Sequence, residues 1–303
     1  MKGLVMRSTG SWYDVMGEDG QKYACRTRGK LRLEGFKETN PIAVGDHVRF
    51  ETSDNSITEI LPRENHILRQ SVKKTGHVHV LGANVDQAML IVTLAYPRTS
   101  FGFIDRFLVT AESFRIPQLL VFNKSDLFSE SDAGFVEELT ALYESISVKC
   151  TVLSALHDNL APIREALQNK ITLMAGHSGV GKSTLLNKLS PSIGQKTGEV
   201  STFSEKGVHT TTFAEMFQLD NSKTFVIDTP GIKEWGLAEM SEDELSDYFP
   251  EMRELRGDCK FGSRCLHLEE PKCAVVKAVE EGVIALSRYE SYVSMVLGED
   301  NRK

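Results

Sequence analysis

The chain has 303 residues, 41% of them hydrophobic and 25% charged, with a formal net charge of −7 at pH 7. These fractions exclude a disordered chain, a collagen and a coiled coil, and the length predicts two domains or three, each with its own core. No apolar run approaches the roughly 18 residues of a membrane span, the first eight residues hold no apolar signal segment, and an odd set of five cysteines fits a reducing cytoplasm better than a disulfide framework.

Residues 1–66 read as a small barrel or sandwich. Strands are predicted at 3–6, 12–16, 23–26, 30–33 and 47–50, punctuated by Ser8-Thr9-Gly10, Glu18-Asp19-Gly20 and Gly45-Asp46. Pro62 and the polar Arg63-Glu64-Asn65 mark the exit. The acidic total argues against a generic nucleic-acid binder, but charge is unevenly spread. Lys22, Arg26, Arg28, Lys30, Arg32 and Lys37 stand against Glu34 alone. That stretch is either a solvated strand pair or a surface that faces RNA.

From about residue 85 the period changes. Strands are predicted at 89–94, 118–122, 148–153 and 171–175, alternating with helices at 104–115, 135–146, 160–169 and 182–189. Continuous apolar strands between helices predict a parallel sheet covered on both faces, a doubly wound α/β domain over 67–234. Strands at 213–219 and 223–227, joined at Asp220-Asn221, read as a hairpin. Beyond Gly231 the sheet pattern ends. Ser241-Glu242-Asp243-Glu244 reads as a capped helix start, and helices at 274–281 and 289–297 close a third, mostly helical unit over 235–303. Cys25 and Cys150 lie in strands and read as core residues.

Gly176-His177-Ser178-Gly179-Val180-Gly181-Lys182-Ser183 matches the phosphate-loop pattern GxxxxGK[ST] between a strand and a helix. Glycines let the backbone wrap a polyphosphate, and successive N–H groups with the helix N-terminus point at it. Lys182 is placed to reach the β- and γ-phosphates, Ser183 to hold Mg²⁺, and Thr184 follows on the same turn.

Asn123-Lys124-Ser125-Asp126 follows an apolar strand, which puts Asp126 on the carboxyl edge where open α/β sheets bind ligands. A carboxylate there accepts from the N1–H and N2–H₂ edge of guanine. Adenine offers an acceptor at N1 and no 2-amino group, so it leaves the carboxylate unpaired. Ser154-Ala155, at the next strand end, offers backbone N–H to the guanine O6. Asp228-Thr229-Pro230-Gly231 follows another strand. Asp228 suits the outer shell of Mg²⁺ and the Gly231 N–H suits the γ-phosphate. Between these motifs runs a polar loop ending in His209-Thr210-Thr211-Thr212, where Thr210 or Thr211 completes the Mg²⁺ shell. Position 232 is Ile, which cannot orient water, so the free protein is expected to hydrolyse GTP slowly. His209 is either the residue that orders the water or a solvent-facing loop residue.

Cys259-x5-Cys265-x-His267-x5-Cys273 supplies three thiolates and an imidazole, a closed structural set for one Zn²⁺.

The motif order is permuted. NKSD and Ser154-Ala155 precede the phosphate loop, the HTTT segment and DTPG, the reverse of ordinary GTPases. With a barrel before and a Cys/His cluster after, the chain resembles the ribosome small subunit-dependent GTPase A family (RsgA type) over essentially its whole length. Pro97-Arg98-Thr99-Ser100, residues 103–108, Lys196-Thr197-Gly198-Glu199-Val200-Ser201 and residues 207–212 carry the likeness further. The resemblance implies an OB-fold, a circularly permuted G domain and a zinc domain. It also implies GTP hydrolysis to GDP and phosphate, stimulated by the 30S subunit and its 16S rRNA during late subunit maturation, by a cytoplasmic monomer. It points to His209 as catalytic beside Lys182. Two positions depart from the family pattern. Val208 stands where the family has Arg, and five residues rather than four separate Cys259 from Cys265.

Overall fold

The computed structural model describes residues 1–27, 41–70, 78–194, 214–220, 222–229 and 240–299. Thirteen strands and seven α-helices lie within these segments. The expected strand at 30–33, and Arg28, Lys30, Arg32 and Lys37, fall outside them.

The first unit is a five-stranded barrel. Strands β1 (Lys2–Ser8), β2 (Tyr13–Gly17), β3 (Lys22–Thr27), β4 (His47–Glu51) and β5 (Ser56–Ile60) follow the order β1-β2-β3-β5-β4, and β1 pairs β4 to close the ring. Alternation drives it. Val5, Val15, Cys25, Val48, Phe50 and Ile57 point inward and form one buried cluster. Asp46 is fully buried at the base, where Arg63 Nε and Nη2 donate to its two carboxylate oxygens at 2.7 and 2.8 Å. That ion pair anchors the exit segment beside the barrel.

A hairpin of β6 (His66–Gln70) and β7 (Val78–Ala83), not expected from the sequence, lies over the next sheet. Gly82 is held there within close contact of Ile227 and Leu173 side chains.

The central sheet runs β10-β9-β8-β11-β13-β12, with β8 (Gln87–Val92), β9 (Gln118–Phe122), β10 (Lys149–Val152), β11 (Ile171–Ala175) and β13 (Thr224–Asp228) parallel. β12 (Glu215–Leu219) is the antiparallel partner of β13, as the hairpin reading expects. Strand β8 is buried at all six positions, the signature of a strand covered on both faces. Helices α1 (Phe101–Ser113) and α2 (Glu130–Ser145) cover one face; α3 (Ala161–Leu167) and α4 (Lys182–Leu189) cover the other. A single pairing, Arg7 with Glu215, joins β1 to β12, so barrel and sheet share one continuous ribbon.

The third unit contains α5 (Pro250–Arg253), α6 (Ala274–Glu280) and α7 (Leu286–Val296). The capped helix expected from Ser241 does not form. Ser241 N–H does reach the Glu244 carboxylate at 3.3 Å, but the chain makes only a turn and then a 3₁₀ segment, Leu245–Tyr248. The turn presents Leu245 to the core, and the third unit gathers around Phe249, Met252, Tyr292 and the three cysteines. Cys25 is buried in the barrel, and Cys150 packs half-buried against the sheet core.

Candidate nucleotide site and Cys/His centre

Four parallel strands end at one rim. Asn123-Lys124-Ser125-Asp126 follows β9, Ser154-Ala155 follows β10, the glycine loop 176–181 follows β11 and Asp228 ends β13. The order of the strands across the sheet, not along the chain, brings these segments together. Asn123 is the tie. Its Nδ2 donates to Val180 O at 2.7 Å, while its Oδ1 accepts from Ala155 N–H at 2.9 Å. One buried side chain thus fixes NKSD against both the glycine loop and the following strand end.

The loop's glycines are demanded by this packing. Gly181 has φ +101° and a Cβ there would collide with Asn123 Nδ2; Gly176 has φ +148° and a Cβ would strike Ile91 O. Gly181 is the N-cap of α4, so the loop leads into a helix N-terminus with Lys182, Ser183 and Thr184 in its first turn. Lys182 Nζ donates to Gly176 O at 2.7 Å and His177 O at 2.8 Å. Burial pulls its pKa down to about 8, with Asp228 acting in the opposite direction. Asp228 and Thr229 are buried behind it, and Thr229 Oγ1 donates to Met174 O at 2.9 Å. Val180 is buried under the loop, while Ser178 and Gly179 are exposed on it.

On the proposed base side, Asp126 is the middle residue of a short 3₁₀ turn, Ser125–Leu127, with 25% of its side chain exposed. Lys124, in the left-handed region at φ +65°, donates through Nζ to Tyr96 O. The amides of Ser154 and Ala155 are both engaged, Ser154 N–H on Asp158 Oδ2 at 2.7 Å and Ala155 on Asn123. His157 Nε2 stands 3.9 Å from Asp126 Oδ2.

Some neighbours escaped the motif reading. Residues 93–100, after β8, support both halves of the site: Pro97 packs on Gly179, Tyr96 O receives Lys124, and Thr93 Oγ1 donates to Pro97 O. Their signals were the likeness carried by Pro97-Arg98-Thr99-Ser100, which assigned them no role, and their position after a buried strand at the carboxyl edge. Asp158 and His157, just past Ser154-Ala155, had no motif to announce them. His209, Thr210, Thr211, Gly231 and Ile232 lie outside the described residues.

The third unit brings Cys259, Cys265, His267 and Cys273 together with all four donor atoms within 4.8 Å of one another, all four residues buried. A tetrahedron with Zn–S bonds of about 2.3 Å has S···S edges of about 3.8 Å and S···N edges of about 3.5 Å. Cys259 Sγ and Cys273 Sγ are 3.8 Å apart, and His267 Nδ1 is 3.5 and 3.3 Å from them. The donor set and its spacing therefore fit a tetrahedral ion, with Nδ1 as the imidazole ligand. Between Cys259 and Cys265 the chain makes a 3₁₀ turn, Gly262–Arg264, with Gly262 at φ +52°. Cys273 Sγ accepts from Val276 N–H at 3.4 Å at the start of α6, and Tyr289 and Tyr292 hydroxyls hold the carbonyls of His267 and Leu266 at 2.8 and 2.7 Å.

A glycine loop braced against an NKSD segment that comes before it in the chain defines a circularly permuted GTP-hydrolysing enzyme. The comparisons agree. The RsgA GTPase family model matches residues 60–238 and the RsgA N-terminal domain model residues 2–60. A Bacteroides fragilis protein named small ribosomal subunit biogenesis GTPase RsgA is 47% identical over 307 residues, covering 100% of this chain and 98% of that protein. A Cytophaga hutchinsonii protein of the same name is 48% identical, covering 100% of both. The crystal structure of YjeQ from Thermotoga maritima superposes with a TM-score of 0.78 at 36% identity, over 100% of this chain and 99% of that one. YloQ, described as a circularly permuted GTPase, gives 0.73 at 31% identity, over 100% and 96%. The chain belongs to the RsgA GTPase family.

Proposed function

We propose that this GTPase is a monomeric cytoplasmic switch that docks on the 16S rRNA of the small ribosomal subunit during its late maturation and leaves on GTP hydrolysis. The observation that carries the nucleotide half is the Asn123 Nδ2–Val180 O bond of 2.7 Å, which braces the NKSD segment on the glycine loop. The subunit half rests on full-length identity to relatives named for small-subunit biogenesis.

In this reading the N–H groups of residues 176–184 wrap the α- and β-phosphates, and Lys182 gives up its two carbonyl partners to bind the β- and γ-phosphates. Ser183, with Thr210 or Thr211, would hold Mg²⁺, with Asp228 behind it. When bound, Mg²⁺ would supply positive charge against the phosphates. Asp126 reads the N1–H and N2–H₂ edge of guanine, and Gly231 N–H senses the γ-phosphate. His209 orders the attacking water once the partner has positioned its loop, because Ile232 cannot. Cys259, Cys265, His267 and Cys273 hold one structural Zn²⁺. On the barrel, the Arg26 guanidinium lies 3.7 Å over the half-exposed Trp12 ring, a flat cationic platform that suits RNA bases and phosphates. Among the described residues no helix is long and apolar enough to cross a membrane.

The test is GTP turnover with and without purified small subunits. Stimulation of about 10³-fold is expected, the lower end of what a supplied catalytic group contributes. Unchanged turnover at saturating subunits would reduce the protein to a nucleotide-dependent RNA binder.

A further inference from the structure

Helix α1 belongs to two domains at once. Phe107, Leu108 and Ala111 pack on the central sheet, while Val109 is buried in the core of the Cys₃His unit. Ionic contacts reinforce the second attachment. Asp105 Oδ1 accepts from Arg288 Nη1 of α7 at 2.6 Å and from Tyr143 Oη of α2 at 3.2 Å. Arg288 donates through Nε to Glu251 of α5 at 2.8 Å, and its guanidinium lies 4.5 Å over the Phe249 ring. Arg106 Nη2 donates to Glu299 O at 2.6 Å, and Arg253 pairs with Glu112 at 2.8 Å. Asp105 and Arg288 are both fully buried.

The first turn of the same helix touches the glycine loop. The Phe103 ring stacks on the His177 imidazole with centroids 3.9 Å apart. The peptide of His177 is a contact that nucleotide can reach. Its carbonyl accepts from Lys182 Nζ, and a phosphate in the loop would compete for that ammonium. Occupancy therefore alters the hydrogen bonding of the residue against which Phe103 is stacked. Coupling between distant sites requires such a contact, together with a rigid element that both sites bias.

We propose that α1 couples nucleotide occupancy of the glycine loop to the seating of the Cys₃His domain, with Phe103 the positioning residue at one end and the Asp105–Arg288 pair its anchor at the other. Because binding linkage is reciprocal, loosening the anchor must change nucleotide affinity, and nucleotide must change the stability of α5 and α7. This depends on the glycine loop binding phosphates and not on the ribosomal partner.

The experiment is amide hydrogen exchange on the full chain, alone and saturated with GDP or a non-hydrolysable GTP analogue, read on peptides covering α5 and α7. Nucleotide is expected to shift exchange there by about fivefold or more. Phe103→Leu, which keeps an apolar side chain but removes the ring stack, is expected to bind GDP saturably and lose that shift. Arg288→Lys keeps a cation opposite Asp105 and is expected to move the GDP Kd without touching the loop. Unchanged α5 and α7 exchange in the parent protein, or a full response in Phe103→Leu, would overturn the proposal. If Arg288→Lys does not fold, Phe103→Leu still decides. Failure of GDP to bind the parent protein would instead indict the nucleotide reading.

Discussion

Replacing Asp126 with Asn tests the base-reading argument most directly. The carboxylate in the turn after β9 is expected to accept two hydrogen bonds from guanine. Hydrogen bonds to a charged group contribute about 1.5–3 kcal/mol each. With 25% of the side chain open to water, the low end applies and the pair contributes about 3 kcal/mol, roughly a 10²-fold change in Kd. In Asp126→Asn the amide NH₂ confronts a guanine donor, so GDP affinity falls by about that factor. Xanthine carries a carbonyl at C2, which accepts from the new NH₂, so XDP affinity rises. The fold should be indifferent, since the residue lies in a short surface turn after the strand. The assay is fluorescence titration with GDP and XDP analogues, with a melting curve as control. Unchanged preference for GDP over XDP in a folded variant would refute the reasoning.

Three further outcomes follow from the same geometry. Lys182 has its pKa pulled down to about 8 in the nucleotide-free protein, and anionic phosphates raise it again. Binding therefore takes up a proton above pH 8, so GDP affinity should be flat below pH 8 and fall by up to about tenfold per unit above it; Lys182→Met should flatten the slope. Chelation of the metal, or Cys273→Ser, should unfold the unit whose core holds Cys259, Cys265 and Cys273. Metal content and far-UV circular dichroism would fall together, because such ions contribute folding energy of about 10 kcal/mol or more. Arg63→Met leaves the Asp46 carboxylate buried without its guanidinium, a loss of about 3–5 kcal/mol read as a lower midpoint in urea.

What the sequence made legible was short-range. The glycine loop and NKSD each lie within a few consecutive residues, following β11 and β9, and the Cys/His spacing lies within one local segment, 259–273. The alternating run of βα units likewise predicts a parallel sheet, because burial on both faces leaves a continuous apolar strand. Long-range features were not legible. Strand β5 and the β6–β7 hairpin are short, polar at several positions and held by distant partners such as Asn65 and Asn84, whose side chains bridge the hairpin to residues 85 and 45. The helix expected at Ser241 failed because local capping lost to packing: Leu245 and Phe249 must both reach the Cys₃His core. The engagement of the Ser154 and Ala155 amides by Asp158 and Asn123 could not be read from a dipeptide at all.

Sheet order explains why residues 93–100 reach both halves of the site. Strand β8 lies between β9, which carries the base-reading segment, and β11, which carries the glycine loop. Whatever follows β8 must cross the rim between base and phosphates, and it then enters α1, buried along most of its length. Permutation places this strand directly after the barrel and hairpin, so the chain enters the sheet at the centre of the site. It leaves from β13, on the far side of β11 from β8, toward the Cys₃His unit. A nucleotide bound as proposed would therefore sit beside β8, which among the described strands is the one flanked by both β9 and β11. The helix behind that strand is also the one that the third unit grips through Asp105, Arg106 and Glu112. In a sheet of this order, the segment that crosses the rim runs directly into the helix that the third unit grips.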